Sequence, residues 1–178
     1  LVNRLKELHR FIHPHLEDSL EIKLDKNDEF ASEFAKWANK QGLDYETEWI
    51  GNDALSRKKE RQRETVHNKF AREDAYLLIN QLIFYKIVED TDKFETYTSE
   101  LAYERADTED KILAIRNLSV DELDFLREYL STRFDTIVED VDYKAVFKQN
   151  DVFGSVEYNE RLADTINDFI EELGEYNL

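Results

Sequence analysis

The chain contains no cysteine and no methionine, a single proline (Pro14) and four scattered glycines (Gly42, Gly51, Gly154 and Gly174). Without thiols it has no disulfide, no zinc–thiolate centre and no cysteine nucleophile. Isolated glycines cannot build a phosphate-binding loop or a dinucleotide fingerprint, because both need clustered glycines where backbone approaches phosphate. A nucleophile elbow, with a glycine on either side of its serine, fails for the same reason. One proline also excludes an Asn/Asp-Pro-Pro-aromatic tetrapeptide. A β-rich chain of 178 residues would need many more turn residues, so the predicted fold class is all-α. The chain starts at Leu1 and has no Met, hence no initiator, which points to a segment of a longer protein.

What is present argues for a folded, acidic chain. Hydrophobic residues make up 41 % and aromatics 12 %, too many for a disordered polypeptide, and the length suffices for a proper core. The formal net charge of −17 favours solubility and opposes unaided attraction to nucleic acid. Such acidity suits a halophilic source, whereas thirteen lysines are more than a salt-adapted surface usually keeps; both readings stay open. No signal or transit peptide is seen, so the expected location is the cytoplasm.

Periodicity predicts a series of helices. Leu5, Leu8 and Ile12 share a face of a first helix, which Pro14 is expected to end. SLEIKL (19–24) alternates apolar and polar residues and suits a short extended piece. Asn27 is placed to cap a helix over 28–41 that buries Phe30, Phe34, Trp37 and Ala38, with Gly42 as its stop. A long tract from about Asp53 to Val88 follows, then shorter helices over 94–117. Ser119 and Glu122 form a capping box, with Leu118 and Leu123 as a staple, for a helix carrying Leu126, Leu130, Phe134 and Ile137. A last helix over about 157–173 places Leu162, Ile166, Phe169, Ile170 and Leu173 together, and Gly174 stops it. The expected architecture is an irregular multi-helix bundle around a central apolar helix at about 70–89. The expected division is an N-terminal helical portion (1–50) and a second portion (51–178).

Few residues suggest chemistry. Glu21-Ile22-Lys23 fits the acid-x-lysine triplet of metal-dependent nucleases, where a carboxylate holds the ion and a lysine polarises water. The same triplet recurs at Glu109 and Asp142, as the abundance of acids and lysines alone would produce, so it carries no signal. His9 and His13 stand one turn apart, as metal-binding pairs do, but Pro14 separates them from His15, and no metal site is assigned. The run RKKERQRETVHNKFAR (57–72) reverses the local sign of charge. Its Arg57, Lys58, Lys59, Arg61, Arg63, Lys69 and Arg72 suit contact with DNA phosphates. Alternatively the run is a solvated face pairing with Glu60 and Glu64, or docks on acidic helices of its own domain.

Between Leu77 and Val88 only Asn80, Gln81 and Lys86 interrupt the hydrophobic residues. That is too short and too polar for a membrane span. Together FAREDAYLLINQLIFYKIVED (70–90), VDYKAVFKQNDVF (141–153) and LADTINDFIEELGEYNL (162–178) resemble a helical region of adenine-specific DNA methyltransferases of restriction–modification systems, including type IIG-like enzymes fused to a nuclease. The matching positions include Phe70, Ala71, Ala75, Tyr76, Asn80, Leu82, Phe84, Tyr85, Glu89 and Asp90. The resemblance implies a connector preceding a methyltransferase domain of the same longer chain. That domain would use S-adenosylmethionine, and DNA would be a partner. No catalytic or cofactor-binding residue carries over, since the family's cofactor loop and Pro-Pro tetrapeptide would lie beyond Leu178. A reading from another class is a free-standing acidic helical adaptor that binds protein only.

Overall fold

The computed structural model describes residues 2–45, 54–90, 126, 127, 130, 131, 134, 135, 146 and 152–175. Among them are four helices described from end to end, and no strand: α1 (Val2–Lys26), α2 (Asp28–Lys40), α3 (Ala54–Asp90) and α4 (Glu160–Gly174). The all-α expectation therefore holds for the described residues. The chain divides into two compact units, Leu1–Tyr76 with Asn150–Glu157, and Leu77–Gln149 with Tyr158–Leu178. Helix α3 contributes to both.

In the first unit, α1 departs from expectation because it runs straight through Pro14. An interior proline removes one backbone hydrogen bond and crowds the preceding turn, at a cost of about 3 kcal/mol. Against this stand Leu8, Ile12, Leu16, Leu20 and Leu24, all buried at a constant spacing of four across the proline. Ending the helix at Pro14 would expose the last three, each worth roughly 1.5–3 kcal/mol. Packing wins. The imidazole of His13 also donates from Nδ1 to the His9 carbonyl (3.1 Å), adding a polar contact in the turn that the proline disturbs. The same leucine stripe explains why 19–24 is helical rather than extended. Leu20 and Leu24 are buried one turn apart, whereas Ile22 faces solvent.

Helix α2 forms as its sequence predicts. The Asn27 side chain accepts from the Phe30 amide (2.9 Å), and Gly42 follows the C-terminus at φ 73°. Its buried face of Phe30, Phe34, Trp37 and Ala38 meets Phe70 of α3, with ring centroids 5.2 Å from both Phe34 and Trp37. Phe153 closes this cluster by stacking on Phe70 at 4.9 Å and meeting Trp37 edge-on at 5.4 Å. Residues 152–157 are held by polar links as well. Lys23 Nζ donates to the Ser155 carbonyl, and the Gly154 amide donates to Asp74 Oδ1 (3.1 Å). Gly154 has φ 76°, which a residue with a Cβ adopts only under strain.

In the second unit, α3 buries Leu78, Ile79, Leu82 and Tyr85, and also the polar Gln81 and Lys86. Gln81 donates to the Val146 carbonyl (3.3 Å). Leu126, Leu130 and Phe134 are helical and buried, as their spacing predicts, and Phe134 lies 6.3 Å from Tyr85. Arg127 donates from Nη1 to the Tyr158 hydroxyl (2.5 Å) and lies over that ring. Helix α4 is capped by Asn159, which accepts from the Leu162 amide (2.9 Å), and it buries Leu162, Ala163, Ile166, Phe169, Ile170 and Leu173. The capping box at Ser119 and the helices expected over 94–117 lie outside the described residues. No described helix is long and apolar enough to cross a membrane.

Candidate functional site

All seven basic residues singled out in the run 57–72 lie on α3. At about 100° per residue, Arg57, Lys58, Arg61, Lys69 and Arg72 fall within an arc of about 120°, while Lys59 and Arg63 point elsewhere. Arg57, Lys58, Arg61 and Arg72 are exposed, and Lys69 is half-buried. Arg63 turns toward the protein. Its Nη2 stands 4.0 Å from Asp25. Lys69 pairs with Glu73 one turn on (3.8 Å).

The contacts along α1 and α3 show that the two helices run antiparallel. His9 meets Arg72 and Tyr76, Glu17 meets Asn68, Glu21 meets His67, and Asp25 meets Arg63. This pairing divides the basic run electrostatically. Its middle, residues 60–68, lies beside the acidic half of α1, where Glu17, Asp18 and Glu21 line a groove of about 520 Å³ with Glu64, Thr65 and Asn68. Its C-terminal end lies beside the first half of α1, which carries Arg4, Lys6 and Arg10 against Glu7 alone.

A second cleft, of about 290 Å³, is lined by Glu21, Asp25, Glu60, Arg63, Glu64 and His67. Beneath it a hydrogen-bonded line runs through the protein. His67 is 1 % exposed; its Nε2 lies 2.9 Å from the Tyr45 hydroxyl and its Nδ1 lies 3.4 Å from Glu21 Oε1. A carboxylate can only accept, so the tautomer that satisfies both partners carries its proton on Nδ1 and accepts the Tyr45 O–H on Nε2. Burial lowers the His67 pKa and outweighs the Glu21 carboxylate, which acts in the opposite direction. Burial likewise raises that of Tyr45, despite the nearby Arg63. The line locks the chain after α2 onto α3. Asn39 reinforces it, accepting from the Tyr45 amide and donating to its carbonyl (3.1 and 3.3 Å). Sequence reading missed this group, because its members are separated by 22 and 46 residues and each is unremarked in its own surroundings.

The other sequence candidates are dispersed or otherwise engaged. Glu21 and Lys23 lie on a helix, with Glu21 toward His67 and Lys23 toward Phe30 and Ser155, so they do not converge as a nuclease pair would. His9 donates from Nε2 to the Arg72 carbonyl (3.1 Å), and its ring stacks with His13 at 5.5 Å, whereas His15 packs on Phe11. No group of three or more His, Cys, Asp or Glu residues suited to a metal ion occurs among the described residues. Comparison with family models, with curated proteins and with solved structures finds no match.

Proposed function

We propose that this chain is a non-catalytic helical segment of an adenine-specific DNA methyltransferase of a restriction–modification system. It supports an S-adenosylmethionine-dependent domain elsewhere in a longer chain and contacts the DNA backbone through the basic run of α3. The observation that carries this reading is where the residues of the resemblance fall. Of the motif's positions on α3, Phe70, Ala71, Ala75, Leu82 and Tyr85 are buried and serve packing, as a connector requires, while Tyr76, Asn80 and Phe84 are exposed. The exposed arc of Arg57, Lys58 and Arg61 supports the DNA contact, since phosphate contacts position a duplex without reading its sequence.

The coding sequence downstream of Leu178 tests the assignment directly. It should contain a glycine-bearing cofactor loop and an Asn-Pro-Pro-aromatic motif, and their absence would leave the protein-binding adaptor as the better reading. Titration of this chain alone with S-adenosylmethionine should show no saturable heat; micromolar binding would overturn the proposed division of labour. In the full-length enzyme, Arg57→Gln, Lys58→Gln and Arg61→Gln together should flatten the slope of log affinity against log salt by about 0.9 for each phosphate no longer neutralised. An unchanged slope in a folded variant would mean that these cations serve their own protein.

A further inference from the structure

Tyr76 does not share the role of its neighbours. Phe70, Ala71 and Ala75 are buried, but Tyr76 is 58 % exposed on α3. Its ring lies 4.0 Å, centroid to centroid, from that of His9. His9 is itself buried and fixed by its bond to the Arg72 carbonyl, and His13 stacks behind it with Nδ1 bonded to the His9 carbonyl. The tyrosine thus rests on the His9 ring, whose orientation is set by a backbone hydrogen bond and which itself stacks with His13, and this makes it a pre-organised surface.

The charge around this ring stack opposes that of the whole chain. Lys6 and Arg10 are exposed one turn apart on α1, and Arg72 is exposed one turn before Tyr76 on α3. Glu7 is the one acid among residues 2–16, and Glu73 is engaged by Lys69. In a chain of net charge −17, this end of the first unit offers cations around an exposed aromatic ring. Proteins that hold unpaired strands use the same combination, with cations following the backbone while bases stack on aromatic faces. The turn-to-turn spacing of about 5.4 Å brings a cation within reach of the phosphate beside a base stacked on the ring. In a duplex the bases face each other and could not reach Tyr76.

We propose that Tyr76, seated on the His9–His13 ring stack, and the cations Lys6, Arg10 and Arg72 form a binding site for single-stranded nucleic acid. A base stacks on the exposed face of Tyr76, and the adjoining phosphates meet Lys6, Arg10 and Arg72. This deepens the nucleic-acid part of the reading above, but it shares only Arg72 with the basic run invoked there.

Fluorescence anisotropy of the whole chain with labelled oligo(dT), and with a duplex of equal length, at low salt tests the site. Oligo(dT) should bind saturably and more tightly than the duplex. Tyr76→Ala should weaken binding by roughly five-fold or more, whereas Tyr76→Phe, which keeps the ring, should stay within about two-fold. Arg10→Gln, at an exposed position, should weaken binding by itself and reduce the salt slope by about 0.7. The triple variant of Arg57, Lys58 and Arg61 should leave oligo(dT) binding intact, so failure of one surface is distinguishable from failure of the other. No saturable binding, equal or tighter duplex binding, or full affinity in Tyr76→Ala or Arg10→Gln would overturn the site. Displacement by poly-glutamate at equal charge would also overturn it, and would point to an acidic protein segment instead.

Discussion

Replacing His67 by Gln should destabilise the first unit at pH 7.5, and the deficit should shrink as the pH falls. In the native protein His67 is buried between the Tyr45 hydroxyl and Glu21, and its neutral form satisfies both. Glutamine cannot span the same two partners, so at least one of these two hydrogen bonds is lost, at a cost of about 0.5–1.5 kcal/mol. Because burial depresses the folded pKa of His67, the unfolded chain takes up its proton first as the pH drops through the ordinary histidine value of 6.5. The stability that neutral His67 contributes is therefore fully present above 6.5, and it is lost as the pH falls toward the folded pKa, by at most about 1.4 kcal/mol per pH unit. His67→Gln lacks this proton, so the difference between the two proteins should narrow over that window. Taking the difference matters, because acidification also relieves the self-repulsion of a chain carrying −17 charges, and that effect is common to both. Urea unfolding at pH 7.5, 6.5 and 5.5 measures the difference, and nitrogen chemical shifts of the imidazole report its tautomer. A difference that stays constant or widens on acidification would refute the argument, as would a His67 that protonates at or above 6.5 in the folded state.

Two further predictions concern packing. Pro14→Ala should restore the missing backbone hydrogen bond inside α1 and raise stability by up to about 3 kcal/mol in urea unfolding; a decrease would mean that the helix needs the bend a proline imposes. Phe70→Ala, which empties the centre of the Phe34–Trp37–Phe153 cluster, should cost about 3–5 kcal/mol. Phe84→Ala, at a side chain 38 % exposed, should cost far less, and comparable costs would place the buried face of α3 wrongly.

Local signals were sufficient for much of the fold. The scarcity of glycine and proline dictated helices, and Asn27, Gly42 and the apolar spacing of α2 and α4 dictated where those two lie, because caps and amphipathic faces act over a single turn. Pro14 shows the limit of such reasoning. Its local penalty is genuine, yet the leucines beyond it are buried only because other parts of the chain cover them, and no window along the sequence contains that partner.

The candidate sites depended even more on tertiary structure. Composition and sign of charge already marked 57–72 as a basic run within an acidic chain. Which of its cations lie beside carboxylates was decided by the antiparallel register of α1 on α3, which sets Asp25 against Arg63 and His9 against Arg72. The line through Tyr45, His67 and Glu21, and the exposure of Tyr76 beside buried Ala75, arise in the same way. A residue's type and spacing determine which helix face it occupies, but whether that face meets an acid, an aromatic ring or water depends on a helix distant in sequence.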